Sequence, residues 1–253
     1  MLEENEIPVK KLLRTKYSRI ITYPLSDEAQ ARAIIKELVS VGVTALVLEG
    51  STLIDGIPIL GKGCVGLVVR AFLDEEPVAL KIRRADADRA SMENEARLLR
   101  LANSVGVGPK LNTATRNLLA MGFFDGMPLF KWVQRPEAGN ASIVKRVMRR
   151  LVQDCFKLDS VGLDHGELSH APKNVLVNRA SIPCIVDFES GSMTRRVANV
   201  TSLLQYFLFG KLSRLIGASK LFPNRKIVLK SLSLYKQECS VESFQNVLGA
   251  LGL

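Results

Sequence analysis

Three glycines place the strongest constraint on what this chain can fold into. Gly61-Lys62-Gly63-Cys64-Val65-Gly66-Leu67-Val68 has the spacing G-x-G-x-x-G-x-V, and glycines so placed let a backbone turn tightly and approach phosphate oxygens. A dinucleotide site needs a helix directly after the glycines. Here Leu67-Val-Val-Arg-Ala-Phe72 is β-branched and apolar and reads as a strand. The stretch from Ile57 to Lys81 therefore reads as strand, glycine loop, strand, turn at Asp74-Glu75-Glu76-Pro77, strand. Three turn glycines without a ligand fit the same spacing, so the loop takes its meaning from what surrounds it.

Upstream, residues 18–23 (Ser-Arg-Ile-Ile-Thr-Tyr) are β-branched and aromatic and stop at Pro24, which reads as a strand. Ser26 is the expected N-cap of a helix with Asp27 and Glu28 in its first turn. Ile34, Ile35, Leu38 and Val39 then follow at helical spacing up to Gly42. Val43 to Leu48 reads as another strand and completes a β-α-β stretch with no recognisable chemistry. Downstream, a charged helix is expected over residues 86–102, with Met92, Glu95, Leu98, Leu99 and Ala102 at helical spacing. A short strand at 117–121 runs into Gly122-Phe-Phe-Asp-Gly126, which looks like a hinge. Residues 141–161 and 197–217 read as helices, separated by a loop and two short strands at 175–177 and 184–186. No internal repeat or low-complexity linker interrupts the chain, so its parts are expected to form one two-lobed body.

Composition narrows the function classes. At 253 residues and 47% apolar the chain can bury a sizeable core. No run of roughly 18 or more apolar residues could span a bilayer. The start, Met1-Leu-Glu-Glu-Asn-Glu6, has acids where a secretory leader needs cations and an apolar stretch, so a cytoplasmic location is expected. Four cysteines form no CxxC pair and there are only two histidines, which suggests neither a zinc site nor a disulfide framework. A net charge of +10 favours polyanionic company. Arg195, Arg196, Lys211, Arg214, Lys220, Arg225, Lys226 and Lys230 cluster late in the chain and suggest association with RNA or a ribosome. Their first reading, ahead of that association, is as the solvated faces of C-terminal helices.

Chemistry concentrates in two further places. Val78-Ala79-Leu80-Lys81 places a lysine at the end of an apolar strand, and on the following helix Glu95 shares a face with Leu98 and Leu99. Glu95 can there orient the Lys81 ammonium through a buried ion pair; Glu93, two residues away, faces elsewhere. The second place is Asp164-His165-Gly166-Glu167-Leu168, continuing to Lys173-Asn174-Val175, and then Ile185-Val186-Asp187-Phe188-Glu189 after a turn. Acid, asparagine, strand, turn, strand, aspartate is an order that supplies a carboxylate for an acceptor hydroxyl, plus an amide oxygen and a carboxylate for magnesium.

With these motifs in this order, the sequence resembles the protein-kinase superfamily, and within it the small atypical kinases of the RIO and related archaeal types, over about residues 58 to 210. The resemblance implies an α+β, two-lobed kinase-like fold: an N-terminal α/β extension (1–57), a small β-rich N-lobe (58–122) and a mostly helical C-lobe (123–253). It implies ATP and Mg2+ as cofactors. Gly61, Lys62, Gly63, Gly66, Val68, Ala79, Lys81, Glu95, Met121, Gly122 and Phe123 would contribute to nucleotide binding, Lys81 contacting phosphates and Met121 guarding adenine. Asn174 and Asp187 would bind metal and Glu167 would be the catalytic carboxylate.

The sequence departs from the family pattern at defined points. Glutamate replaces the catalytic aspartate, and the stretch from it to Asn174 is two residues longer than H-R-D-L-x-x-x-N. Glu189 replaces the glycine after Asp-Phe, and no Ala-Pro-Glu motif follows. A long peptide-docking segment is therefore not expected. The implied activity is a Ser/Thr-type protein kinase acting on a protein substrate. A small-molecule phosphotransferase and an ATP-binding scaffold with little turnover are the alternatives.

Overall fold

The computed structural model describes residues 5–217, 221–222 and 224–253. The acidic start at residues 1–4 and Lys220 of the basic cluster lie outside them. The described chain is α+β and divides into two compact units: the described part of Met1–Arg97 with Lys110–Phe123, and Leu98–Pro109 with Phe124–Leu253.

In the first unit β1 (Glu6–Pro8) leads through a 3-10 turn at Val9–Arg14 into α1 (Ser18–Thr22) and α2 (Glu28–Ser40). Residues 18–22 are thus helical and not the expected strand. Strand propensity loses here to local hydrogen bonding and burial: Ser18 Oγ donates to Thr15 O at 3.2 Å, Thr22 Oγ1 donates to Leu25 O at 2.7 Å, and Ile20 and Ile21 are buried. The cap of α2 is Asp27, one residue past the expected Ser26. Its Oδ1 accepts the amides of Ala29 and Gln30 at 2.8 and 3.2 Å.

Strands β2 (Val43–Val47), β3 (Thr52–Ile54), β4 (Ile57–Ile59), β5 (Gly61–Lys62), β6 (Gly66–Leu73) and β7 (Glu76–Arg83) follow. The β6–β7 hairpin turns on Asp74 and Glu75, whose φ angles of 48° and 69° match the right-handed twist of the strands they join. Helix α3 (Glu93–Ser104) starts at Glu93, not Asp86. Arg84 clamps the Asp86 carboxylate at 2.8 and 2.6 Å, and the Met92 amide bonds to Arg116 O at 3.0 Å, so the intervening chain satisfies its polar groups outside a helix. Strands β8 (Leu111–Ala114), which the sequence reading lacked, and β9 (Leu118–Gly122) complete the unit.

The main sheet has the order β1-β2-β6-β7-β9-β8, antiparallel throughout, with β5 paired to β6. The N-terminal residues are therefore stitched to the glycine hairpin through β2 and β6. Alternation along the strands separates two faces. Leu67, Val69, Ala71, Val78, Leu80, Ile82, Leu118 and Ala120 form one core with Leu12, Ile20, Ile21, Ile34 and Leu38 of the N-terminal segment. Val68, Ala79, Lys81, Leu119 and Met121 alternate with them and occupy the opposite face.

The second unit holds a small antiparallel sheet among helices. Its elements are β10 (Gly126–Pro128), α4 (Leu129–Trp132), α5 (Ala141–Ser160), α6 (Ala171–Asn174), β11 (Val175–Asn178), β12 (Pro183–Ile185), α7 (Asn199–Phe209), α8 (Lys211–Leu215), α9 (Arg225–Glu238) and α10 (Val241–Leu251). The strands pair in the order β10-β11-β12. Helix α5 is capped by Asn140 and buries Val144, Val147, Met148, Leu151, Val152, Cys155 and Leu158 along one stripe. The single helix expected over 197–217 is two helices broken at Gly210, where extended ψ turns the chain and a Cβ would stand 2.5 Å from Tyr206 O. No helix among the described residues is long and apolar enough to cross a membrane.

Candidate functional site

The candidate residues fall into two groups, one in each unit. In the first unit, Gly61 pairs with Val68 and Lys62 with Leu67, and Gly63 N–H donates to Gly66 O at 2.8 Å, closing a tight hairpin with Cys64 and Val65 at its tip. Gly66 is required by its neighbour on β7: a Cβ there would stand 2.7 Å from Lys81 Cγ and 3.0 Å from Ile82 O. Nothing lies within 4 Å of a Cβ built on Gly61, so packing places no such demand on that glycine.

Lys81 pairs in register with Val68 on one side and Leu119 on the other, while Ala79 pairs with Met121 and Val78 with Gly122. Lys81 Nζ donates to both Glu95 oxygens at 2.9 Å, with Lys81 3% and Glu95 4% exposed. Glu93 is exposed, as its helical position requires. The Gly122 amide bonds to Lys110 O at 2.8 Å, and the Phe123 ring lies 4.9 Å from the Arg70 guanidinium. Val68, Ala79, Lys81 and Met121 thus form one continuous strip of sheet beside the glycine hairpin.

In the second unit, Glu167, Asn174 and Asp187 converge. Asn174 ends a short helix and is 3% exposed; its side-chain amide donates to Glu167 Oε2 at 3.0 Å. Ser190 Oγ donates to the other Glu167 oxygen. The Ser190 bond, followed by that from Asn174, holds the Glu167 carboxyl below its usual range against the opposing pull of burial and of Asp187. Gly166 precedes Glu167 at φ +87°, and a Cβ there would meet Ser190 O at 2.7 Å.

Asp187 occupies left-handed space, φ 66° and ψ 74°, where a residue with a side chain is strained. Flanking anchors hold it there. Val186 N–H donates to Asn174 O at 2.9 Å, and Phe188, 1% exposed, packs 5.0 Å from the His165 ring. Phe188 also fills the space over Gly108, where a Cβ would come within 2.8 Å of it. One carboxylate oxygen of Asp187 and one of Glu189 lie within 4.8 Å of each other. Asp187 and Glu189 thus offer hard carboxylate oxygens, the ligand type that a divalent cation such as magnesium takes.

Beneath the loop lies a buried polar network that the sequence reading missed. His165 N–H donates to Asn199 Oδ1 at 2.8 Å, and Asn199 Nδ2 donates to Asp159 Oδ1 at 2.8 Å and Leu163 O at 2.7 Å. Asp159 also accepts the Tyr235 hydroxyl at 2.8 Å and the Asn199 and Val200 amides at 3.0 and 3.3 Å. Burial nevertheless raises its pKa. His165 Nε2–H donates to Val186 O at 3.0 Å, and burial lowers the imidazole pKa, so the ring is neutral. Asp164, the second acid of the segment, binds Arg195 and caps the approach to α7 by accepting the Ala198 amide at 3.1 Å. Arg196 and Arg225 of the basic cluster are also engaged internally, by Lys236 O and by Ser213 with the Phe209 ring.

No protein-family model matches the chain, and no curated protein matches it.

Proposed function

We propose that this protein binds Mg-ATP and transfers the γ-phosphate to a hydroxyl acceptor, as an atypical Ser/Thr-type protein kinase of two-lobed fold. The observation that carries the proposal is the Lys81–Glu95 pair. Removing two charges this completely from water costs about as much as their attraction returns, so stability alone gives no reason to keep them. A lysine fixed by both oxygens of a glutamate, in register with a glycine hairpin, is suited to hold nucleotide phosphates. Val68, Ala79 and Met121 on the same strip offer an apolar bed for a purine.

Asp187 and Asn174 would hold magnesium, which when bound neutralises charge on the transferring phosphate. Glu167 stays ionised because its hydrogen bonds favour the carboxylate, so it can orient an acceptor hydroxyl and take its proton. Ser190 Oγ occupies a position on Glu167 that an acceptor hydroxyl can take over.

One rival keeps the same site. Both Glu167 oxygens are already engaged, by Ser190 and Asn174, as suits an ATP-binding scaffold with little turnover. Incubation of the pure protein with Mg and γ-labelled ATP, with and without added proteins and metabolites, separates these readings. Label on serine or threonine supports the protein kinase, and label on a metabolite supports a small-molecule phosphotransferase. Binding without transfer supports the scaffold. Absence of nucleotide binding overturns the proposal.

A further inference from the structure

The N-terminal segment does more than cover the back of the sheet. Tyr23 follows α1, and its carbonyl accepts the Ala85 amide at 2.8 Å, which fixes it beside the end of β7. Its ring carries two cations. Lys62 Nζ lies 4.6 Å from the ring centroid and donates to the Tyr23 hydroxyl at 2.5 Å, and the Arg84 guanidinium lies 5.4 Å from the centroid. Arg84 in turn grips the hairpin tip twice: Nη1 donates to Gly63 O at 3.1 Å and its backbone amide to Val65 O at 2.8 Å.

We propose that Tyr23 is a positioning residue of the glycine hairpin: by holding Lys62 and Arg84 on one ring, it fixes the hairpin tip in a single arrangement, so that the N-terminal segment sets affinity for nucleotide phosphates. Without the clasp the hairpin samples other arrangements, because Cys64 and Val65 sit between Gly63 and Gly66 and are tied to the end of β7 through Arg84. Binding then has to order the hairpin and loses affinity accordingly. Two cations near one ring repel each other, and the aromatic face with its hydroxyl offsets that repulsion. The affinity half of the proposal rests on the nucleotide-binding reading above; the clasp itself does not.

The test uses the full chain with Tyr23→Phe, which keeps the ring and removes the hydroxyl, and Tyr23→Leu, which removes both. Amide exchange should accelerate at Gly63 and Arg84, more in Tyr23→Leu than in Tyr23→Phe, while the β9 amides of the same unit stay protected and so report an intact fold. Calorimetric titration with Mg-ATP should show about a three- to tenfold weaker Kd for Tyr23→Phe. The same substitution made in a Lys62→Met background should add nothing, because the two residues act through one contact. Unchanged exchange at the tip in both variants, or effects of Tyr23→Phe and Lys62→Met on Kd that simply add, would overturn the proposal. If the unmodified protein binds no Mg-ATP, the functional reading falls and the exchange measurement alone decides the clasp.

Discussion

Asn174 and Glu167 are joined directly, the Asn174 amide donating to Glu167 Oε2 at 3.0 Å. The proposed metal ligand therefore orients the proposed catalytic carboxylate, and Ser190 holds its other oxygen. Glu167→Gln should lower turnover by about a hundredfold or more with little change in ATP affinity, since the carboxylate acts on the acceptor. Ser190→Ala removes the largest influence that depresses the Glu167 pKa. The acid limb of the turnover profile should then move to higher pH, because Glu167 protonates sooner as pH falls. A pH series on the two proteins measures this; an unmoved limb would show that Glu167 does not control it.

Lys81→Met keeps the side-chain volume but takes the bidentate partner from a carboxylate that is 4% exposed. Loss of phosphate transfer should come with a stability cost of about 3 kcal/mol, and converting Glu95 to Leu in the same protein should recover much of it. Urea midpoints of the single and double variants test the pairing.

Asp164 lies beside the candidate site without belonging to its chemistry. Asp164→Asn weakens the contact with Arg195 and the acceptance of the Ala198 amide. The expected result is a loss of about 1–3 kcal/mol of stability with Mg-ATP affinity unchanged. A dead Asp164→Asn protein that retains native stability, beside a fully active Glu167→Gln, would reverse the two assignments.

His165 gives stability a pH dependence of known sign. Burial lowers its pKa, opposed by Val186 O and by the charges of Asp187, Glu167 and Asp164. The folded state thus binds fewer protons than the unfolded one. Its contribution is present above the ordinary histidine pKa of about 6.5 and is lost as pH falls below it. His165→Gln should flatten the decline in unfolding free energy between about pH 7 and 5; an identical slope would place the titration elsewhere.

The parts legible in the sequence are those whose signal is local. The glycine hairpin shows in spacing and in the strand after it, and the position of Glu95 shows in helical periodicity, because Leu98 and Leu99 mark its face. Residues 18–22 mislead because Ile20 and Ile21 carry strand propensity, while the helix they form depends on burial against α2 and on Thr22 reaching Leu25 O. Asn199, Asp159 and Tyr235 are invisible for another reason. Each is an ordinary residue on its own helix or helix end, and the network exists only once long-range packing brings α5, α7 and α9 together. Tyr23 is likewise silent in sequence, since nothing local connects it to Lys62, 39 residues away.

The most direct measurement is a calorimetric titration of ATP into the unmodified protein and into Asp187→Asn, each with and without magnesium. The account predicts that the unmodified protein binds ATP more tightly with magnesium, and that Asp187→Asn abolishes most of that gain while metal-free binding stays within about twofold. Equal loss with and without metal, or no ATP binding by the unmodified protein, would contradict it.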